Sequence, residues 1–284
     1  MNLAVIIPAA GGSTRFRQDP GALLGDSFKG AGLGARSKLD EDLGGRPVLH
    51  RTVELFTSRP EVQSIIVAAP HDDEAHESFC LRHQDKLNVY GVTICRGGAQ
   101  TRAQTVASAL EKVPDGATHI AVHDGARPCA SEQLIDRVLE AAGTHSAVIP
   151  AVEVTDALKR GSEETTSLGG DDDPLAAILG DSGTPKREAR TVTESVDRTN
   201  LYAAQTPQVF EAVLLKRAYA EAGDLSDAAV NADDAALIER LGEPVTLVQG
   251  DEANIKITRP IDLTVARAIL GFKPPKERPD HLKF

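Results

Sequence analysis

Leu3-Ala4-Val5-Ile6-Ile7-Pro8-Ala9-Ala10-Gly11-Gly12 is a strand-length apolar run that stops in four small residues. A run of this kind, bounded by glycine, reads as a buried strand whose end opens into a turn. Similar runs recur at 62–70, 89–95, 118–123, 147–154, 244–248 and 255–257. Helical patterns lie between them. Val106, Ala109, Leu110 and Val113 share one helix face in 101–113, where Thr101 and Gln104 suit a capping box. Leu134, Ile135, Val138, Leu139 and Ala142 form a stripe after Ser131, a candidate N-cap. Segments 210–222 and 233–241 also read as helices, and Pro260 opens a last one that Gly271 ends. Alternating strands and helices predict an α/β fold, a mostly parallel sheet with helices on both faces. Such sheets bind ligands beyond the carboxyl ends of their strands, at a topological switch point.

Three stretches break the alternation. Residues 16–36 are glycine-rich, 161–190 contain Gly169-Gly170-Asp171-Asp172-Asp173-Pro174, and 273–284 are charged and proline-rich. The first two read as mobile surface loops and the third as a tail. Residues 1–272, both loops included, read as one domain.

The 284 residues are 41% hydrophobic, enough for a sizeable core, and no apolar run reaches the length of a membrane span. Lys and Arg number 31 against 42 Asp and Glu, a formal charge of −11. That balance opposes a nucleic-acid coat or an anionic membrane surface, because both attract positive fields. A phosphate ligand would therefore need local cations that reverse the sign. Cys80, Cys95 and Cys129 form no Cys-x-x-Cys pair, so a reducing, cytoplasmic setting is expected. The start Met1-Asn2-Leu3 carries no basic segment of the sort that opens a secretory signal.

Five segments follow strand ends and carry candidate chemistry. Pro8 to Gly12 leads to Arg15, and small residues there let backbone N–H groups approach a phosphate or base. It matches neither Gly-x-Gly-x-x-Gly nor a Gly-Lys-Ser/Thr loop, and a tight turn explains it equally well. Arg96-Gly97-Gly98 leads into a helix that contains Thr105. His123-Asp124-Gly125-Ala126-Arg127-Pro128 places a carboxylate at a strand end, a candidate cation ligand or hydroxyl acceptor, or simply a surface ion pair. His123 reads as structural, because no Ser or Cys nucleophile lies near it. Val196-Asp197-Arg198 precedes Thr206-Pro207-Gln208. In Asn254-Ile255-Lys256-Ile257, Lys256 points away from the two isoleucines, as a placed cation or an edge-strand gatekeeper.

Taken in order, Pro8-Ala9-Ala10-Gly11 with Arg15, then Lys38, Gly97-Gly98, His123 to Pro128, Val196-Asp197-Arg198, Thr206-Pro207-Gln208 and Asn254 to Pro260 resemble the 2-C-methyl-D-erythritol 4-phosphate cytidylyltransferase family. The resemblance implies a Rossmann-like sheet of the nucleotide-diphospho-sugar transferase type. It also implies a projecting β-arm at about 151–197 that pairs two subunits. It implies transfer of CMP from CTP to a sugar-alcohol phosphate, with Mg²⁺. Arg15, Lys38, Arg198 and Lys256 are the implied catalytic cations. Pro8, Ala9, Ala10, Gly11, Gly12, Gly98, Thr105, Asp124, Arg127 and Thr206 are the implied substrate contacts, with Asp124 also near the metal. A related cytidylyltransferase acting on ribitol 5-phosphate shares most of this pattern, and a non-catalytic nucleotide-binding protein is the alternative from another class.

The chemistry fits those residue types. Joining two anionic reactants calls for positioning and charge stabilisation, not for a protein nucleophile. The phosphate nucleophile is ionised at neutral pH, so no strong base is needed. The chain departs from the family in four places: the Gly97-Gly98 motif runs one residue longer before Arg102, 161–190 lengthens the return of the arm, and two more concern the lysine and the arm motif. Lys38 follows Ser37, not proline, after the glycine-rich insertion, and the arm reads Asp156-Ala157-Leu158-Lys159 with alanine where the family carries threonine.

Overall fold

A computed structural model describes residues 1–13, 16, 37–168, 187–226 and 233–273. Arg15, nearly all of 16–36, and 274–284 lie outside the described residues. The order is β1 (Leu3–Pro8), a 3-10 turn (Lys38–Asp40), α1 (Val48–Thr57), β2 (Val62–Ala69), α2 (Asp73–Val89), β3 (Thr93–Arg96), α3 (Arg102–Leu110), β4 (His119–Val122), α4 (Glu132–Ala142) and β5 (Ala147–Glu153). Then come β6 (Leu158–Gly161), β7 (Thr166–Leu168), β8 (Arg187–Ala189), β9 (Val192–Val196), β10 (Tyr202–Ala204), β11 (Gln208–Glu211), α5 (Ala212–Glu221), α6 (Ala235–Arg240), β12 (Thr246–Gln249) and α7 (Pro260–Ile269).

The main sheet runs β10-β5-β11-β4-β1-β2-β3, with β12 also on β5. β1 pairs in parallel with β2 and β4, as do β2 with β3 and β5 with β12, whereas β11 runs against β4 and β5. β1 sits at the centre, with Ile6 opposite Ile66 on one side and Val122 on the other. β2 and β3 build outward on one side and β4 on the other, so the switch point lies between β1 and β4.

Period-2 alternation explains the two cores. Leu3, Val5 and Ile7 join a cluster with Val53, Phe56, Phe79, Leu134 and Leu263. Ala4 and Ile6 join the other, with Val106, Phe210, Leu215 and Leu237. Each face of β1 thus has its own helical cover, and the strand is apolar throughout because neither face meets water.

Local signals set the helix ends. Thr101 and Gln104 form the expected capping box, and Ser131 Oγ accepts from Leu134 N–H. Pro260 starts α7, and Gly271 follows it at φ +70°.

Four expectations change. The run 89–95 is not one strand: Val89 ends α2 and pairing begins at Thr93, across Gly91 at φ +69°. Phe210 belongs to strand β11, not to a helix, since its side chain must fill the sheet core. Residues 255–257 form no strand; Ile257 N–H donates to Ala126 O, and the side chain packs inward. The ends of 161–190 carry β7 and β8, which pair antiparallel; 169–186 lie outside the described residues.

Contacts divide the chain into Met1–Val152 with Ala204–Phe284, and Glu153–Ala203. The second unit contains the antiparallel pairs β6–β9 and β7–β8, with Lys159 Nζ donating to Ser195 Oγ at 2.6 Å. No described helix is long and apolar enough to cross a membrane.

Candidate active site

The carboxyl ends of β1 and β4 open into a cavity of about 330 Å³. Pro8, Ala9, Ala10, Gly11 and Gly12 form one wall, Gly98 to Arg102 and Thr105 another. Asp124, Gly125 and Ala126 line it from β4, with Lys38 and Lys256 at its edge. This is where an open α/β sheet is expected to take a ligand. No described atom lies within 4 Å of a Cβ built on Gly11 or Gly12, so their backbone faces open space.

The opposite wall is tight. A Cβ on Gly98 would meet Gln104 Cβ at 2.2 Å, and one on Gly97 would meet Ala10 Cβ at 2.9 Å. Glycine lets this loop press against the start of α3. Gly98 N–H donates to Thr105 Oγ1 at 3.2 Å, which fixes the hydroxyl beside the cavity.

Asp124 is the hub. Lys256 Nζ lies 2.7 Å from its Oδ2, Arg102 Nε 3.4 Å from Oδ1, and Arg127 Nε 3.6 Å from Oδ2. Burial alone would raise its pKa, but Arg102 and Lys256 outweigh it and hold the carboxyl well below the usual carboxylate range. Arg102 reaches back as well: its Nη1 lies 2.7 Å from the fully buried Asp234, whose other oxygen accepts from Tyr219 OH at 2.6 Å. Burial lowers the Arg102 value, and the two carboxylates more than reverse that, so the guanidinium stays charged.

Hydrogen-bond chemistry fixes what lies behind Asp124. His123 Nε2 faces Arg127 O at 3.0 Å, and a carbonyl only accepts, so Nε2 carries the proton. His123 Nδ1, 3.2 Å from Thr206 Oγ1, is then the acceptor in neutral histidine. Thr206 Oγ1 in turn accepts from Asp124 N–H at 3.0 Å. Burial pushes His123 down to about 4, which keeps it neutral. Asn254 Nδ2 donates to Thr206 O at 2.9 Å, and Arg127 Nη1 to Asn254 O at 2.6 Å. Thr206 and Arg127 thus back Asp124; neither is among the residues lining the cavity. His123 is structural, as expected.

Lys38 N–H donates to Ser13 Oγ at 3.2 Å, and Lys38 Nζ donates to Ile257 O at 2.7 Å, next to Lys256. The structure therefore brings together Pro8 to Gly12, Lys38, Gly98, Thr105, Asp124 and Lys256. Arg15 lies outside the described residues, and Arg198 belongs to the unit Glu153–Ala203. Sequence reasoning missed Arg102 and Asp234 as site residues. Arg102 had a visible signal, a cation opening a helix after a glycine pair; Asp234 had none.

The donors suit one kind of metal binding. Among the described residues no three His, Cys, Asp or Glu side chains form an ion cage. Asp124 is the carboxylate of the cavity wall, and Mg²⁺ commonly uses one or two carboxylates plus substrate phosphates.

The family model described as "IspD: 2-C-methyl-D-erythritol 4-phosphate cytidylyltransferase" matches residues 27–180 and 174–272. A 2-C-methyl-D-erythritol 4-phosphate cytidylyltransferase of Symbiobacterium thermophilum is 34% identical over 268 residues, covering 94% of this chain and 92% of that protein. A bifunctional enzyme IspD/IspF of Desulfotalea psychrophila is 35% identical over 272 residues, covering 96% of this chain but 58% of that protein. The structure of the cytidylyltransferase of that name from Thermus thermophilus superposes with a TM-score of 0.65 at 30% identity, covering 95% of this chain and 100% of that one.

Proposed function

The chain belongs to the 2-C-methyl-D-erythritol 4-phosphate cytidylyltransferase family, and from that premise we propose the reaction and the residues that carry it. A 4-phosphate oxygen of 2-C-methyl-D-erythritol 4-phosphate attacks the α-phosphorus of CTP. The bond from that phosphorus to the bridging oxygen breaks, and pyrophosphate leaves. The product, 4-diphosphocytidyl-2-C-methyl-D-erythritol, feeds the non-mevalonate route to isoprenoid precursors.

One observation carries the site assignment. In a chain of charge −11, Lys38, Arg102 and Lys256 line one glycine-walled cavity, where Arg102 and Lys256 pair with a single ionised carboxylate, Asp124. Negative charge building on the α-phosphoryl group is what such cations stabilise. The glycine wall and Thr105 give a rigid donor and acceptor pattern for cytosine, and Asp124 orients Lys256 and Arg102. Mg²⁺, when bound with the triphosphate, supplies charge neutralisation. Arg15 is assigned to the triphosphate and Arg198 to the acceptor phosphate by family resemblance. The same reading makes the protein a cytoplasmic homodimer paired through Glu153–Ala203, which sedimentation of the purified chain tests.

The deciding experiment is an acceptor-by-nucleotide matrix. CTP, Mg²⁺ and 2-C-methyl-D-erythritol 4-phosphate are expected to release pyrophosphate, and UTP to be poor. Far faster turnover of ribitol 5-phosphate would replace the acceptor. Arg198→Ala is expected to raise the acceptor KM or lower kcat while leaving CTP binding intact; a selective loss of CTP affinity would reverse its role.

A further inference from the structure

We propose that Asp40 is a positioning residue for Lys38, and that a buried histidine pair, His83 backed by His50, holds Asp40 in place. The inference rests on the reading above, in which Lys38 serves the triphosphate.

Lys38 opens a 3-10 turn of three residues, Lys38–Asp40, too short to fix its own geometry. Side chains do that instead. Ser37 Oγ accepts from Leu39 N–H at 3.2 Å, and Asp40 Oδ2 accepts from Ser37 N–H at 2.6 Å. The Asp40 carboxylate therefore ties down the backbone of Ser37, one residue before Lys38. Its other oxygen, Oδ1, accepts from His83 Nε2 at 2.7 Å and Arg82 Nε at 3.1 Å, both on α2. His83 Nδ1 meets His50 Nε2 of α1 at 3.0 Å. The chain of contacts thus runs from α1 through α2 to the turn that bears Lys38.

Core packing does not explain this arrangement. His83 is 2% exposed, His50 5%, and the Asp40 side chain 5%. Burying polar groups costs free energy unless each is paired, and apolar residues of similar volume are often as good or better. His50 is held neutral, pushed to about 4 by burial and by His83. For Asp40, burial is outweighed by His83, Ser37 and Arg82, so it stays ionised. None of the three side chains lines the cavity that holds Asp124. What the network touches at its far end is the backbone N–H of Ser37, the residue directly before the cavity's own lysine.

A double-mutant cycle with pyrophosphate release as readout tests it, with thermal unfolding measured on every variant. Asp40→Asn keeps the shape and loses the charge. It is expected to lower kcat by about 10-fold to 100-fold, the scale of a small misplacement of a catalytic group. Lys38→Ala is expected to lower kcat by about 100-fold or more. The decisive prediction is the combination: Asp40→Asn adds nothing further once Lys38 is alanine. Multiplying losses, or a wild-type kcat for Asp40→Asn alongside an impaired Lys38→Ala, would overturn the positioning role. A wild-type rate for Lys38→Ala removes the Lys38 assignment, and with it this inference, without touching the family activity. Should Asp40→Asn fail to fold, His83→Gln, which removes the imidazole that holds Asp40 Oδ1, carries the same cycle.

Discussion

Asp124 shows how one residue organises a site against the charge of its own protein. Its carboxylate gathers Lys256, Arg102 and Arg127, so cations that would repel one another share a common anchor. Lys256 faces the cavity, as Arg102 does, but keeps 37% of its side chain exposed, and Arg102 and Arg127 stay on Asp124 when it is removed. Lys256→Ala is expected to lower turnover by at least about 100-fold with little change in thermal midpoint; wild-type activity would take Lys256 out of the site. Arg102 behaves differently. It is the ion-pair partner of Asp234, which is 0% exposed. Arg102→Met strands that carboxylate in the core, and breaking a buried pair from one side typically costs about 3–5 kcal/mol. Urea unfolding of this variant should show that loss, and Asp234→Asn in the same background should recover part of it. The Asp124 motif was readable because its parts are adjacent in sequence. The pair Arg102–Asp234 was not, because an ion pair closed by the fold leaves no local pattern at either end.

At the scale of elements, α3 and the glycine pair before it act as one part. The helix start is fixed by Thr101 Oγ1 accepting from Gln104 N–H at 3.1 Å and by Gln104 Oε1 accepting from Thr101 N–H at 3.3 Å. Thr101→Ala is expected to cost about 1 kcal/mol, as lost N-caps do. Gly98→Ala asks more, since its Cβ would overlap Gln104 at 2.2 Å with backbone atoms close behind. Overpacking of that kind costs about 1–3 kcal/mol. It also forces the Gly98 wall apart from Gln104 and Thr105, so the CTP KM should rise together with the fall in stability. A rise in KM at unchanged stability would mean that the wall yields without strain. The capped helices α3 and α4 were legible because cap and apolar stripe agree. Helix α2 was not: Ser78, Phe79, His83 and Leu87 are its buried residues, so two of its four core positions read as polar. Strand β11 was missed for another reason. Its four residues run straight into α5, and Phe210 suits the apolar pattern of either element.

For the whole molecule, the interior histidines set the acid limit. His123 is fully buried and His50 nearly so, and burial lowers both to about 4. Unfolded histidine titrates at about 6.5. Between those values the unfolded chain binds protons that the folded chain refuses, so stability falls as pH drops through that window. Each histidine contributes at most about 3 kcal/mol, lost progressively from about pH 6.5 to about pH 4. The lowered carboxyls of Asp124 and Asp40 act in the same direction but at lower pH, since they lose their advantage only below the ordinary carboxylate range. Net charge works the other way: protonating an acidic chain of −11 relieves self-repulsion. That relief is spread over exposed groups and screened by salt, whereas the buried histidines are not. Urea unfolding from pH 8 to pH 4 in constant salt should therefore show a plateau above neutrality and a steep loss below it. His50→Gln, which cannot take up a proton, should flatten part of that loss. A profile that stays level down to pH 4 would mean that both imidazoles accept a proton in the folded state.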